Sequence, residues 1–395
     1  MNKKKVKSVI FLSNYFNHHQ KPFCEEMYRI LKENYTFIET ETMSEERQNM
    51  GWGIQHYPPY VVTSAVFNAN RKKYQQKIDD ADVVIIGAAP LALIKTRNKN
   101  NRLVFRYSER LLKDKLKLWQ YPLCFLRWHK ATPPSSNIYL LCASAYASKD
   151  HTSFSLFKNR HYKWGYFPEV KIYADVDQLI ASKKRASLLW VARFLNLKHP
   201  EVPVEIAKRL KKEGYCFELN IIGTGELEKT VTQMVADEGL TDCVHLLGAM
   251  KPEEVRTHME QSEIFLFTSD RREGWGAVLN ESMNSGCAVV ASHAIGSVPY
   301  LIKDKENGCI YRDGDVDDLY RKVKFLLENE EKRAAMGRNA YLTMVNEWNA
   351  KTATMKLLEL AERIGNGKEM PELYAQGVCS RAEILKDDWY VPEKN

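Results

Sequence analysis

Long apolar runs are missing from this 395-residue chain. Nothing approaches the roughly 18 consecutive apolar residues of a membrane-crossing helix, so none is expected. The start, MNKKKVKSVIFLSNYF, imitates a secretion signal, but its apolar core VIFL is too short and no small-residue cleavage site follows. A buried first strand is the expectation there. Paired cysteines are missing too. The eight cysteines (24, 124, 142, 216, 243, 287, 309 and 379) contain no C-x-x-C. That pattern fits neither a zinc site nor a disulfide framework, and it suits a reducing cytoplasm. Internal repeats and low-complexity segments are also absent.

What is present is the composition of a globular protein, 44% hydrophobic and 27% charged, with length enough for two separate cores. The net charge of +8 hides an asymmetry. Up to Pro168 there are 27 Lys+Arg against 13 Asp+Glu, a balance of +14, whereas the remainder has 31 against 37, a balance of −6. The two halves are expected to meet different partners.

Short apolar runs alternate with helical patterns. KSVIFLS, YTFIETE, DVVIIGA, RLVFRYS and SNIYLLCAS read as strands in the first half. ASLLWVAR, FELNIIG, VHLLGA, EIFLFTS, CAVVAS and GCIYRDG read as strands in the second. Continuously apolar strands imply parallel sheets covered on both faces, hence two α/β doubly wound, Rossmann-like domains. Strand signals lapse between Pro168 and Ser187. This sets a first domain at 1–168, a second at 169–350, and a helix and tail over 351–395 that return to the first.

Doubly wound sheets bind ligands at the carboxyl ends of their strands, where helix N-termini collect anions. In the second half, Arg193 and Lys198 follow one such strand, and Gly223-Thr224-Gly225 follows the next. A third strand leads into REGWGAVLNE, where Glu273 and Glu281 stand eight apart around Gly274, Trp275 and Gly276. Each piece alone is weak: a lone G-x-G is most often a tight turn, two cations can be solvated loop charges, and two acids can lie on a surface helix. Together, backbone N–H donors and cations suit a diphosphate, and carboxylates suit the paired hydroxyls of sugars. A nucleotide sugar is the candidate ligand.

At these residues the chain resembles the retaining GT-B glycosyltransferases of family four. EGWGAVLNESMNSGCAVVAS is similar to that family's E-x7-E signature, VARFLNLK to its G-R-x4-K segment, IIGTGELE to its G-x-G turn, and HLLGAM to its base-binding strand end. ENGCIYRDGDVDDL and EKRAAMGRNA follow in the family's order, so the resemblance spans about residues 186 to 350. It implies two Rossmann-like domains facing across a cleft, the first for the acceptor and the second for the donor. By resemblance Arg193 and Lys198 neutralise the departing diphosphate, Glu273 holds a hydroxyl of the transferred sugar and Glu281 the ribose. Gly223, Gly225, Gly248, Gly274, Trp275 and Gly276 would line the donor, a UDP-sugar by default. The implied chemistry is hexosyl transfer with anomeric retention to a glycan or lipid-linked acceptor in cell-surface polysaccharide synthesis, with no cofactor. Two departures are Ala192, where a glycine usually precedes the arginine, and Tyr300, where the family often has glutamate.

The first half is less typical, with SNYFNHHQKPF where family members often carry glycines. His18, His19, Glu109, Arg110 and His151 follow strands on one sheet edge and are candidates for acceptor or sugar contacts; local capping or packing is the competing reading. DAD at Asp80–Asp82 and DGD at Asp313–Asp315 imitate a metal-binding D-x-D but fall where turns want aspartate, so no metal site is expected. From Lys95 to Lys130 eleven basic residues face two acidic ones. A helix over SERLLKDKLKLWQYP would gather Arg110, Lys113 and Lys117 opposite Leu111, Leu112, Leu116 and Trp119. With Trp128 and the apolar LCFL, this suggests a cytoplasmic enzyme peripheral on an anionic membrane surface, a core-facing helix with a solvated cationic face being the alternative. No nucleic acid is expected. Competing functions are a non-catalytic nucleotide-sugar-binding partner of another transferase, and an epimerase or phosphorylase on the same fold.

Overall fold

The computed structural model describes residues 5–44, 53, 56–114, 116–117, 119–133, 136–367 and 373–392. The chain divides into two compact units: Met1–Glu169 with Trp348–Lys386, and Val170–Glu347 with Asp387–Asn395.

In the first unit the strands are β1 (Val9–Ser13), β2 (Tyr35–Glu39), β3 (Val61–Val62), β4 (Val83–Ile86), β5 (Val104–Ser108), β6 (Ile138–Cys142) and β7 (His161–Lys163). They form one sheet in the order β3-β2-β1-β4-β5-β6-β7, with parallel pairing throughout. Leu12, Ile86, Val104 and Leu140 are buried from successive strands, as the continuous apolar runs require. The helix Ala350–Gly365 packs on Lys21–Leu31 and so belongs to this unit. Its Ala353, Leu357, Leu360, Ala361 and Ile364 are buried at helical spacing, and Asn349 accepts from the Thr352 N–H at its start.

The second unit contains β8 (Lys184–Val191), β9 (Glu218–Ile222), β10 (Val244–Leu246), β11 (Ser262–Phe267), β12 (Ala288–Ser292) and β13 (Cys309–Tyr311), again parallel, in the order β10-β9-β8-β11-β12-β13. Leu188, Trp190, Ile264, Leu266 and Val290 form its core with the helices on either side. In each sheet the strand order reverses once, beside β1/β4 and β8/β11. The carboxyl ends there are where a doubly wound sheet leaves a crevice for ligand.

Three features differ from the sequence expectation. Strands β3 and β7 are additional; VV and HYK are too short or too polar to signal themselves, and the neighbouring strands recruit them. Among the described residues of 108–117 there is no helix. The Asp150 carboxylate accepts from the Leu112 N–H at 2.9 Å and pairs with Arg110 at 3.4 Å, which holds this stretch as an irregular loop. The helix instead runs Gln120–Ala131 with Pro122 in its first turn, where proline is tolerated. Finally, the tail from Asp387 joins the second unit rather than following helix Ala350–Gly365. Asp387 lies 3.8 Å from Arg271, and the Tyr390 hydroxyl donates to the Ile310 carbonyl at 2.6 Å.

The eight cysteines are free thiols. Among the described residues no helix is long and apolar enough to cross a membrane.

Candidate functional site

The switch point of the second sheet carries the charged residues. After β8 the chain turns through Ala192, Arg193 and Phe194 into a short 3-10 turn at Asn196–Lys198. After β11 it runs through Thr268, Ser269 and Asp270 to Glu273. These loops are laced together: the Thr268 hydroxyl donates to the Lys198 carbonyl at 2.7 Å, and the Asp270 N–H donates to Leu197 at 2.9 Å. Thr268 is itself fixed by the buried Trp190 indole, which donates to it at 2.8 Å. The result places the Lys198 ammonium in an ion pair with the Glu273 carboxylate, with side chains 15% and 13% exposed. The Ser269 hydroxyl donates to the same Glu273 oxygen at 3.2 Å.

The glycine turn after β9 supports the Arg193 loop. The Phe194 N–H donates to the Thr224 carbonyl at 2.9 Å, and the Leu227 N–H to Phe194 at 3.1 Å. A Cβ on Gly225 would sit 2.7 Å from the Phe194 oxygen, so the close approach requires glycine. The Gly223 N–H donates to the Gly248 carbonyl at 2.8 Å, which joins the loop after β10 to the same turn. Arg193 itself is exposed.

Glu273 does not start a helix. The helix begins at Val278, after Gly274-Trp275-Gly276, and ends at Asn284, so Glu281 lies in its first turn. The Trp275 side chain is buried: its indole donates to Asn280 at 2.9 Å, and its backbone carbonyl accepts from Ser297 at 2.6 Å. Gly276 has φ +79, and a side chain there would strike the Phe267 ring. Around Glu281, burial pushes the carboxyl above its ordinary value while the nearby Arg256 guanidinium opposes the rise. Arg256 also donates to the Glu281 carbonyl at 3.1 Å and to Asn284 at 3.0 Å.

His199 lies beside Lys198. Its Nδ1 lies 2.8 Å from Glu201 and its Nε2 3.6 Å from Asp270. The Glu201 hydrogen bond raises its pKa above the ordinary value despite partial burial. Burial alone would raise Asp270, but hydrogen bonds from Arg272 hold it below the usual carboxylate range.

In the first unit, His18, His19 and Glu109 come together at the carboxyl ends of β1 and β5. The two imidazoles lie 3.8 Å apart, and His19 stacks on Tyr166 at 6.1 Å. The Tyr166 hydroxyl donates to Glu109 at 2.6 Å, as does Lys113 at 2.6 Å. Burial, then the charge of His18, depresses His19 to about 3, so its ring is neutral at physiological pH. Arg110 and His151 are placed otherwise. Arg110 is buried against Asp150 and the Tyr146 ring, and His151 is buried with its Nδ1 2.8 Å from the Ala147 carbonyl of its own helix. Both are buried, as the competing packing reading expects.

The aspartate triplets serve the backbone. Asp82 accepts from the Lys7 and Ser8 N–H groups at 2.8 and 3.2 Å, and Asp315 caps a helix through the Asp318 N–H at 2.8 Å. Thr268, Ser269, His199, Arg256 and Tyr166 were not singled out in the sequence. Thr268 and Ser269 had a usable signal, since hydroxyls directly after an apolar strand at a loop entrance often tie such loops; Tyr166 had none.

Residues 172–343 match the profile of the family described as Glycosyl transferases group 1. The amylovoran biosynthesis glycosyltransferase AmsK of Erwinia amylovora is 33% identical over 182 residues, 45% of this chain and 44% of the relative. The GDP-mannose-dependent alpha-(1-6)-phosphatidylinositol monomannoside mannosyltransferase of Mycolicibacterium smegmatis is 25% identical over 182 residues, 45% of this chain and 47% of the relative. The chain thus spans less than half the length of these curated relatives. Among solved structures, Anabaena HepE in complex with UDP superposes with a TM-score of 0.65 at 14% identity, over 89% of this chain and 99% of that one. Residues 172–343 thus carry the group 1 glycosyl transferase profile, and the chain has the GT-B fold of structural neighbours such as HepE.

Proposed function

We propose that the protein transfers a hexose-type sugar, with retention at the anomeric carbon and without a metal, from a nucleoside-diphosphate donor to a hydroxyl of a glycan or lipid-linked acceptor in polysaccharide synthesis. The observation that carries this reading is the Lys198–Glu273 ion pair at the β8/β11 switch point. An ammonium has three donors and only one is needed for Glu273; the others suit phosphate oxygens. An ionised carboxylate has lone pairs beyond those taken by Lys198 and Ser269, and they suit a sugar hydroxyl.

As the glycosidic bond breaks, negative charge grows on the diphosphate. Lys198 and Arg193 offset it, which is the electrostatic work a metal does elsewhere. The departing diphosphate, on the attacked face, takes the proton of the acceptor hydroxyl. Glu281 binds the ribose; burial raises its carboxyl, and hydrogen bonds from ribose hydroxyls would favour its charged form. In the first unit, neutral His19, Tyr166 and Glu109 offer donors and acceptors to the acceptor or the transferred sugar. The AmsK name supports a polysaccharide role, and the mycobacterial relative's name supports a lipid-linked acceptor. UDP is the first donor base to test and GDP the second, following HepE and that relative.

The test incubates the protein with nucleotide sugars and candidate acceptors in excess EDTA and follows the product by NMR. The expected result is acceptor-dependent transfer with the donor's anomeric configuration kept. Inverted product refutes retention, and activity lost in EDTA but restored by manganese refutes metal independence. Donor binding with neither transfer nor hydrolysis supports a non-catalytic partner instead, and donor converted without acceptor supports an epimerase.

A further inference from the structure

The helix Gln120–Ala131 has no buried residue, although it is firmly attached to the first unit. Its inner face makes the attachment. Tyr121 stacks on Phe154 at 5.5 Å, Trp128 meets the same ring edge-on at 4.2 Å, and His129 Nε2 lies 2.7 Å from the Phe154 carbonyl. Its outer face is apolar and open. Trp119, Leu123 and Leu126 follow the i, i+4, i+7 spacing of one helical face and are 65%, 62% and 67% exposed. Arg127 and Lys130, at i+8 and i+11 from Trp119, lie on that same face and are exposed. Three large apolar side chains this exposed within about two turns of helix need a partner, since protein surfaces rarely cluster them.

Charge identifies the partner. Between Asp114 and Asp150 the chain contains no acidic residue, while Lys117, Arg127, Lys130 and Lys149 are all basic. Two further cations of this region, Arg97 and Arg110, are not available for such a surface. Arg97 is buried, donating to the carbonyls of Ile78, Ala81 and Leu103, and Arg110 is buried against Asp150. A second copy of this chain, docked face to face, would add its own Arg127 and Lys130 to the contact with no acidic residue of the helix to pair them. An anionic lipid leaflet meets both requirements: its acyl boundary takes Trp119, Leu123 and Leu126, and its headgroups take the flanking cations.

We infer that the outer face of helix Gln120–Ala131 docks this protein on an anionic membrane surface. The surface lies at a different place from the one the sequence suggested: the cations beyond the first turn of this helix, Arg127 and Lys130, replace Arg110. The inference stands independently of sugar transfer, because docking is read without any substrate.

The experiment is sedimentation of the full chain with phosphatidylcholine vesicles, with and without phosphatidylglycerol, over a salt series. The protein should sediment with anionic vesicles only, and salt should release it. Leu123→Asp/Leu126→Asp should abolish binding. Arg127→Glu/Lys130→Glu should weaken it by roughly fivefold or more for each cation removed. All four positions are exposed, so both double variants should keep the wild-type melting temperature. Absence of vesicle binding by the wild type overturns the inference, as does equal binding to neutral vesicles or undiminished binding by the variants. A wild-type dimer in sedimentation velocity, broken by Leu123→Asp/Leu126→Asp, overturns it in favour of a second copy as the occupant.

Discussion

Lys198 and Glu273 stand 75 positions apart in the chain and form an ion pair, because each follows one of two adjacent parallel strands. The pairing is built by neutral groups: Trp190 holds Thr268, Thr268 holds the Lys198 carbonyl, and Ser269 steadies the carboxylate. A cation held this way is already oriented when a diphosphate arrives.

Replacing Lys198 by alanine therefore removes one preorganised donor to the leaving group. Turnover at saturating donor should fall by about a hundredfold or more. Steady-state kinetics with the donor identified by screening check this. Wild-type turnover in Lys198→Ala would mean that the lysine is structural.

Gly225→Ala places a methyl against the Phe194 backbone at a φ of +154. Both effects displace the loop bearing Arg193, so stability should fall by about 1–3 kcal/mol, or roughly 2–12 °C in melting temperature. Donor affinity should fall with it. Gly214→Ala is the control: φ is +82 but no atom lies within 4 Å of the added methyl, so it should lose stability through backbone strain alone, about 1 kcal/mol, with donor binding intact. Calorimetry of the two variants with and without nucleotide separates these outcomes.

Acid should destabilise the first unit earlier than carboxylate chemistry alone would. Burial depresses His19 and His151 to about 3 and His161 to about 4. In the unfolded chain each titrates near about 6.5. Below that pH the unfolded state takes up protons that the folded state refuses. The stability they contribute is complete above the unfolded value and is lost as pH falls toward the folded values. The slope is about 1.4 kcal/mol per pH unit for each histidine. Urea midpoints between about pH 7 and about pH 5 should fall, and fall less steeply in His151→Leu. Midpoints unchanged over that interval would contradict the burial assignment.

Eleven of the thirteen described strands were legible from apolar runs, because the sheets are parallel and both faces are covered. β3 and β7 were not: VV is only two residues long and HYK carries two polar side chains, so neither shows a pattern of its own. The stretch 108–117 carries helical periodicity in Leu111, Leu112 and Leu116, yet Asp150 captures the Leu112 N–H and the Arg110 guanidinium. A carboxylate 38 positions away is invisible to local spacing. In the candidate site, Arg193, Lys198, Glu273 and Glu281 could be named from spacing and resemblance. What could not be read was their support. Thr268 and Trp190 act through hydrogen bonds across β8 and β11, and Arg256 reaches Glu281 from a separate helix. The burial of His151 was equally invisible to local spacing: its Nδ1 lies against the Ala147 carbonyl and its ring packs on Phe157 at 5.3 Å.

The most direct measurement is a thermal-shift titration of UDP and GDP, and of their sugar conjugates, against wild type, Lys198→Ala and Glu281→Ala. A ligand bound only by the folded state raises the melting temperature with concentration. The expected result is a concentration-dependent rise for at least one nucleoside diphosphate in wild type, strongly reduced in Glu281→Ala through the lost ribose contact and in Lys198→Ala through the lost phosphate contact. A rise of equal size in all three proteins, or no rise with any nucleotide, would contradict a donor site built on Lys198, Glu273 and Glu281.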